Sequence, residues 1–277
     1  MMEGKKETSE RSKLINKAQQ KINSFDNMVQ IEFEGFSVKE NQLTGLFDRL
    51  CITNGNLSDL TEERILSALL KIESNLEYKK IIAEKANVDW YYVFYEYSTQ
   101  SSLVYNITKG NIDGEYDSFL DLGIWLSNFS DQISLSRYEE SGLPMIDRIM
   151  RENRYPWPGN LDGLLFDKQT KEIICVIEYQ NTSRRPVAEH DNNDFMYSTP
   201  YRKGDSRRWK VIKIIADTIK SKIMVIVWSH NETVVALKNI NSFILDQLTN
   251  VSRIVWGKKT IIELDKLDVN SFLESIE

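Results

Sequence analysis

The stretch Leu161-Asp162-Gly163-Leu164-Leu165-Phe166-Asp167-Lys168-Gln169-Thr170-Lys171-Glu172-Ile173-Ile174-Cys175-Val176-Ile177-Glu178-Tyr179-Gln180 carries the fold of this chain. It divides into a strand over Leu161 to Phe166, a turn over Asp167 to Lys171 and a strand over Ile173 to Tyr179. Ile173 to Ile177 is apolar at every position, the pattern of a strand covered on both faces. A three-residue loop, Gln169 to Lys171, sets Lys168 opposite Glu172 and then Asp162 opposite Glu178. Opposed residues share a face, with Cβ atoms about 5 Å apart. Gln180 joins that face two residues on. A loop one residue longer or shorter turns Glu178 to the other face, unless a bulge compensates.

Working outward, Ser141-Gly142 and Pro144 open a helix that runs to about Asn153, proline being well placed in a first turn. Leu143, Ile146, Ile149 and Met150 form its inner face. A stiff loop, Tyr155 to Asn160, leads into the hairpin. A long polar loop follows it to Gly204. Ser206 to Lys220 is an amphipathic helix with Val211, Ile214, Ile215 and Ile219 inward. Strands follow at Lys222 to Trp228 and Thr233 to Leu237. Ser242 to Glu277 adds a helix, a strand near Ile254 and a last helix.

The first half reads mostly helical. Residues 9 to 24 form a charged helix, and Asp59 with Glu62 forms a capping box for a helix through Ile72. Phe119 to Phe129 is another helix. Gln30 to Val38 is a short strand, and the aromatic block Trp90 to Tyr97 is a core strand rather than a base-stacking surface. The expected organisation is a mostly helical region, 1–134, for recognition or homodimerisation, and an α/β (α+β) domain, 135–277, with a mixed central sheet flanked by helices.

Asp162 and Glu178 as neighbours repel each other, and each resists ionisation unless a cation lies between them. Oxygen ligands of this kind suit Mg²⁺ or Mn²⁺. Asp162 followed by Glu178-Tyr179-Gln180 on a hairpin flanked by helices resembles the PD-(D/E)XK nuclease superfamily, which includes many restriction endonucleases. That superfamily's core is a mixed sheet in the order helix, three strands, helix, strand. Leu143 to Leu237 supplies the resemblance, with two of the three strands identified.

The resemblance implies a Mg²⁺-dependent endonuclease acting on DNA in preference to RNA. Asp162 and Glu178 then bind metal, with the backbone carbonyl of Tyr179 as a further ligand. Asp147 is the candidate acid on the preceding helix, with Glu139 and Glu140 as alternatives. Leu161 stands where the motif has proline, and Gln180 where it has lysine. Glutamine carries no charge but can orient a water or a phosphate oxygen. Lys210 or Lys213 is expected to supply the missing cation. The alternative that Gln180 raises is an inactive nuclease-fold protein that binds nucleic acid or a protein.

Arg184, Arg185, Arg202, Lys203, Arg207, Arg208 and Lys210 follow the hairpin closely and are candidate phosphate contacts, on a loop long enough to be mobile. His190 reads as an exposed loop residue, His230 as a turn residue, and Cys51 and Cys175 as packing. Two histidines leave little for a His-rich metal site or a Ser-His-Asp triad. No phosphate loop, GxSxG elbow or HExxH pair occurs. A net charge of −6 argues against a surface uniformly coated with basic residues, though not against a local basic channel. With no long apolar run and a charged N-terminus, neither a spanning helix nor a signal peptide is expected, and two cysteines without a disulfide framework point to a reducing, cytoplasmic setting.

Overall fold

A computed structural model describes residues 3–6, 16–130, 144–155, 157–159, 161–183, 185–197, 204–247 and 250–277. Along the chain come β1 (Glu3–Lys5), α1 (Lys17–Asn23), β2 (Met28–Ile31), β3 (Gly35–Lys39), β4 (Gln42–Asn54), α2 (Glu62–Ile72), α3 (Leu76–Ala86) and β5 (Trp90–Tyr95). Then follow β6 (Ser102–Asn106), β7 (Asn111–Tyr116), α4 (Phe119–Ser127), α5 (Met145–Glu152), β8 (Gly163–Asp167) and β9 (Ile173–Asn181). The last elements are α6 (Ser206–Ile219), β10 (Lys222–Trp228), β11 (Val234–Leu245), β12 (Val251–Glu263) and α7 (Val269–Ile276). The architecture is mixed α/β with two mixed sheets. The chain forms two compact units. The first is Met1–Ile15 with Phe33–Asn160, and the second is Asn16–Glu32 with Leu161–Glu277.

The first unit is not mostly helical. Its sheet runs β1-β4-β5-β6-β7, with β3 also on β4. β4 and β5 are parallel and the other pairs antiparallel. β5 is buried at all six positions, so its aromatics are core, as its composition implies. Phe47, Tyr91, Trp125 and Phe129 pack there in edge and stacked contacts. β4 escapes a pattern reading because Asp48 and Arg49 interrupt its apolar run. Both are buried, and both are paired within the unit. Thr61, not Asp59, caps α2, accepting from the Arg64 backbone N–H, while Asp59 belongs to a preceding 3-10 turn.

The second unit's sheet has the order β12-β11-β10-β9-β8-β2. β9 and β10 are parallel, joined by α6, and all other neighbours are antiparallel. α1 and α7 bury Ala18, Ile22, Phe272 and Ile276 against Cys175, Ile177, Met224 and Ile226. α6 lies on the other face, where its Arg208 meets Glu178. The expected single strand Gln30 to Val38 is two strands, one in each sheet, because the chain passes between units after Glu32. The boundary therefore lies after Asn160 rather than near residue 134, and the segment Asn16–Glu32 crosses over to the second unit. The expected helix after Ser242 is absent: β11 continues through Leu245 and pairs with β12 as a long ribbon.

Candidate functional site

The β8–β9 hairpin reaches the expected pairing by a different route. Asp167 N–H donates to the Glu172 carbonyl (3.0 Å), so the turn spans four residues, Lys168 to Lys171. Asp167 Oδ1 accepts from the Gln169 and Thr170 backbone N–H groups, and Lys171 adopts a left-handed φ of 59°. That turn alone would slip the register by one. A bulge restores it: Phe166 faces Ile173 but Leu165 faces Cys175, leaving Ile174 extra. Beyond the bulge Gly163 pairs with Ile177, so Asp162 falls opposite Glu178.

The two carboxylates are unequal. Glu178 is fully buried and Asp162 keeps 24 % of its side-chain surface. Asp162 Oδ2 accepts from the Tyr179 backbone N–H (2.7 Å). Glu178 Oε1 accepts from Gln180 Nε2 (2.8 Å) and from Arg208 Nη2 (2.6 Å). The same Nη2 lies 3.4 Å from Asp162 Oδ1. Glu178 Oε2 is buried with no hydrogen-bond partner among the described residues. Burial, and next the Asp162 charge, push the Glu178 carboxyl up to about 7, against the pull of Arg208 and Gln180. Burial works against the charged Arg208, but Glu178 and Asp162 outweigh it and hold its pKa above the usual range.

A brace from β2 holds the hairpin end. Gln30 Nε2 donates to the Asp162 carbonyl (2.9 Å), and Gln30 Oε1 accepts from the Tyr179 hydroxyl (2.8 Å). Gly163 makes room for it, since a Cβ there would stand 2.6 Å from Gln30 Nε2. Gln30 was not singled out from the sequence as part of the site. A short polar-interrupted strand 132 positions away carries no local mark of its partner.

The other expected site residues divide. Asp147 sits in the first unit, where it takes both terminal nitrogens of Arg49 (2.6 and 2.9 Å). The helix that precedes the second unit's three strands β2, β8 and β9 is α1, not Asp147's α5. Arg208 meets both carboxylates, while Lys213 pairs with Asp217 four residues on. Arg185 is exposed and pairs with Asp194, and Arg207 is exposed. Arg184, Arg202, Lys203, Glu139 and Glu140 lie outside the described residues.

The described part of the loop after β9 is pinned rather than loose. Val187 N–H donates to Glu232 (2.9 Å), Asn193 exchanges two hydrogen bonds with the Ile254 backbone, and Trp256 Nε1 donates to Asp191 (3.0 Å). His190 is buried and stacked on Phe195, not exposed, and burial lowers its pKa to about 4.

These donors suit a hard divalent cation. Two carboxylates share a face, and the orphaned Glu178 Oε2 has an unmet need for a partner. Among the described residues no third His, Cys, Asp or Glu joins them, so water and substrate oxygens would have to complete the shell. Among those residues no helix is long and apolar enough to cross a membrane. No protein-family model and no curated protein matches the sequence.

Proposed function

We propose that the second unit is a nuclease-fold domain of the PD-(D/E)XK type, a metal-dependent endonuclease that hydrolyses phosphodiester bonds of DNA. One observation carries it. Asp162 and Glu178 meet within the order α1, β2, β8, β9, α6, β10, which is helix, three strands, helix, strand. On this reading β2, which pairs with β8 although nearly the whole first unit separates them in sequence, serves as the third strand of that core.

Asp162 and Glu178 would hold Mg²⁺ or Mn²⁺, with the Tyr179 carbonyl beside them. The bound ion supplies an activated water and charge neutralisation at the phosphate. Gln180 donates to Glu178 through its amide nitrogen, which fixes that carboxylate and leaves its own carbonyl oxygen to accept from the attacking water. The first unit has 16 Lys and Arg against 23 Asp and Glu, net −7, and the second 19 against 18, net +1. Phosphate contact therefore belongs to the second unit. The acidic first unit suits a protein contact, such as homodimerisation, better than a polyanion.

The test is cleavage of plasmid, linear DNA and RNA, with and without Mg²⁺. Asp162→Ala and Glu178→Ala should lose Mg²⁺-dependent cleavage with their folded circular dichroism intact. Cleavage undiminished in both variants would sink the proposal. A second reading, a nuclease fold that binds but no longer cuts, draws on Gln180 in place of lysine. Binding of DNA without cleavage in any divalent ion would favour it.

A further inference from the structure

The Arg208 guanidinium occupies the place between the two carboxylates that a cation would take. It bridges strands β8 and β9 from the first turn of α6, with Nη2 2.6 Å from Glu178 and 3.4 Å from Asp162. Both contacts use that one nitrogen. Nε and Nη1, which carry three of the five guanidinium N–H donors, make no bond to the described residues. The side chain as a whole keeps 40 % of its surface exposed, against 0 % for the Glu178 it meets. A structural arginine spends its donors differently, as Arg49 does with all three nitrogens engaged at 7 % exposure.

We propose that Arg208 is a displaceable internal cation. It neutralises Asp162 and Glu178 in the metal-free protein, leaves them when a divalent cation binds, and then presents its free fork to a substrate phosphate. This rests on the metal-centre reading above.

Three physical points support the exchange. Glu178 and Asp162 cannot share their face as bare anions, so a metal-free state needs a resident positive charge. A divalent ion brings twice that charge and satisfies Glu178 Oε2, which Arg208 leaves without a partner. A guanidinium with three idle donors matches the bidentate geometry of a phosphate better than the single-nitrogen contact it makes now. Arg208 is thus a positioning group for the metal-free pair and a phosphate ligand afterwards. It supplies the charge that Gln180 lacks, from the helix instead of the strand.

Titration calorimetry of the full chain with Mn²⁺ alone, at pH 8, tests the exchange without any activity readout. Arg208→Ala should bind Mn²⁺ about tenfold more tightly than the unaltered protein, because no resident cation has to leave. Arg208→Lys should fall between the two. Arg207→Ala, which removes the same charge from the same turn but touches neither carboxylate, should change affinity by no more than about twofold. At saturating Mn²⁺, Arg208→Ala should cut DNA at a rate lower by about a hundredfold, tighter metal notwithstanding. Arg208→Gln serves if the alanine variant fails to fold. Mn²⁺ affinity unchanged or weakened in folded Arg208 variants overturns the exchange while leaving the metal centre standing. Equal tightening in Arg207→Ala also overturns it, since the effect would then be long-range charge. Absence of Mn²⁺ binding in every form overturns both the exchange and the metal centre.

Discussion

Two arginines in this chain each meet a pair of carboxylates that are at least half-buried, and they are held in opposite ways. Arg49, on β4, gives Nε to Glu34 (2.8 Å) and both terminal nitrogens to Asp147, and its guanidinium lies 4.7 Å from the centre of the Trp157 ring. All three guanidinium nitrogens are engaged there. Beside it Asp48 and Lys79, at 1 % and 2 % exposure, are paired at 2.8 Å, with Trp90 Nε1 and the Glu34 backbone N–H also donating to Asp48. Arg208, by contrast, serves two carboxylates with one nitrogen while a carboxylate oxygen beside it stays unpartnered. Buried charge that is fully satisfied tends to fix a fold, and buried charge that is partly satisfied tends to mark where a ligand completes the set. On that contrast the first unit's cluster reads as structural, and the second unit's is where the proposed metal centre lies.

The strongest way to break that contrast is Lys79→Met. It strips the cation from Asp48, leaving Glu73 with Lys6, and should cost about 3–5 kcal/mol in urea unfolding, the usual penalty for orphaning a buried charge. A loss below about 1 kcal/mol would mean that the cluster is not holding the unit together.

Next in size is a pH effect at Glu34. Burial, opposed chiefly by Arg49, pushes its carboxyl from 4.5 up to about 7. The folded state therefore holds the Glu34 proton more tightly than the unfolded state. The stability this contributes is full below about pH 4.5 and is lost as pH rises through about 7. Glu34→Gln removes the titration, so relative to the unaltered protein it should gain up to about 3 kcal/mol between those limits. Parallel stability curves for the two proteins across that range would count against the assignment.

The smallest effect sharpens the contrast. Asp147→Asn weakens the fork on Arg49 and should cost about 1–3 kcal/mol, with Mn²⁺ affinity unchanged in calorimetry. Lost Mn²⁺ binding in a folded Asp147→Asn would return that residue to the metal shell, where the sequence had suggested it.

Much of the second unit was legible in the sequence. β9, α6 and β10 stand nearly where their periodicity put them, because each is a long, strongly patterned segment. The opposition of Asp162 and Glu178 followed from period-two alternation, although the turn assumed for it was one residue too short and the Ile174 bulge made the difference good. β4 was not legible. Asp48 and Arg49 look like surface residues until their partners Lys79 and Asp147 are known. Arg208 was read only as a phosphate contact, with Lys210 or Lys213 expected to supply the charge that Gln180 lacks, since which residue of α6 reaches the carboxylates depends on how the helix sits on the sheet.

By itself the sequence determined the chemistry available at the hairpin: two acids on one face, a neutral Gln180 beside them, and arginines close by in the chain. Only the tertiary structure decided that β2 completes the sheet from 132 positions away, that Arg49 claims Asp147, and that Arg208 stands between the carboxylates. The physical reason is one of range. Alternation and helical period are local and are written in neighbouring residues. Strand partners and charge partners are set by burial in three dimensions, where a group takes whichever complement the fold brings within hydrogen-bond reach.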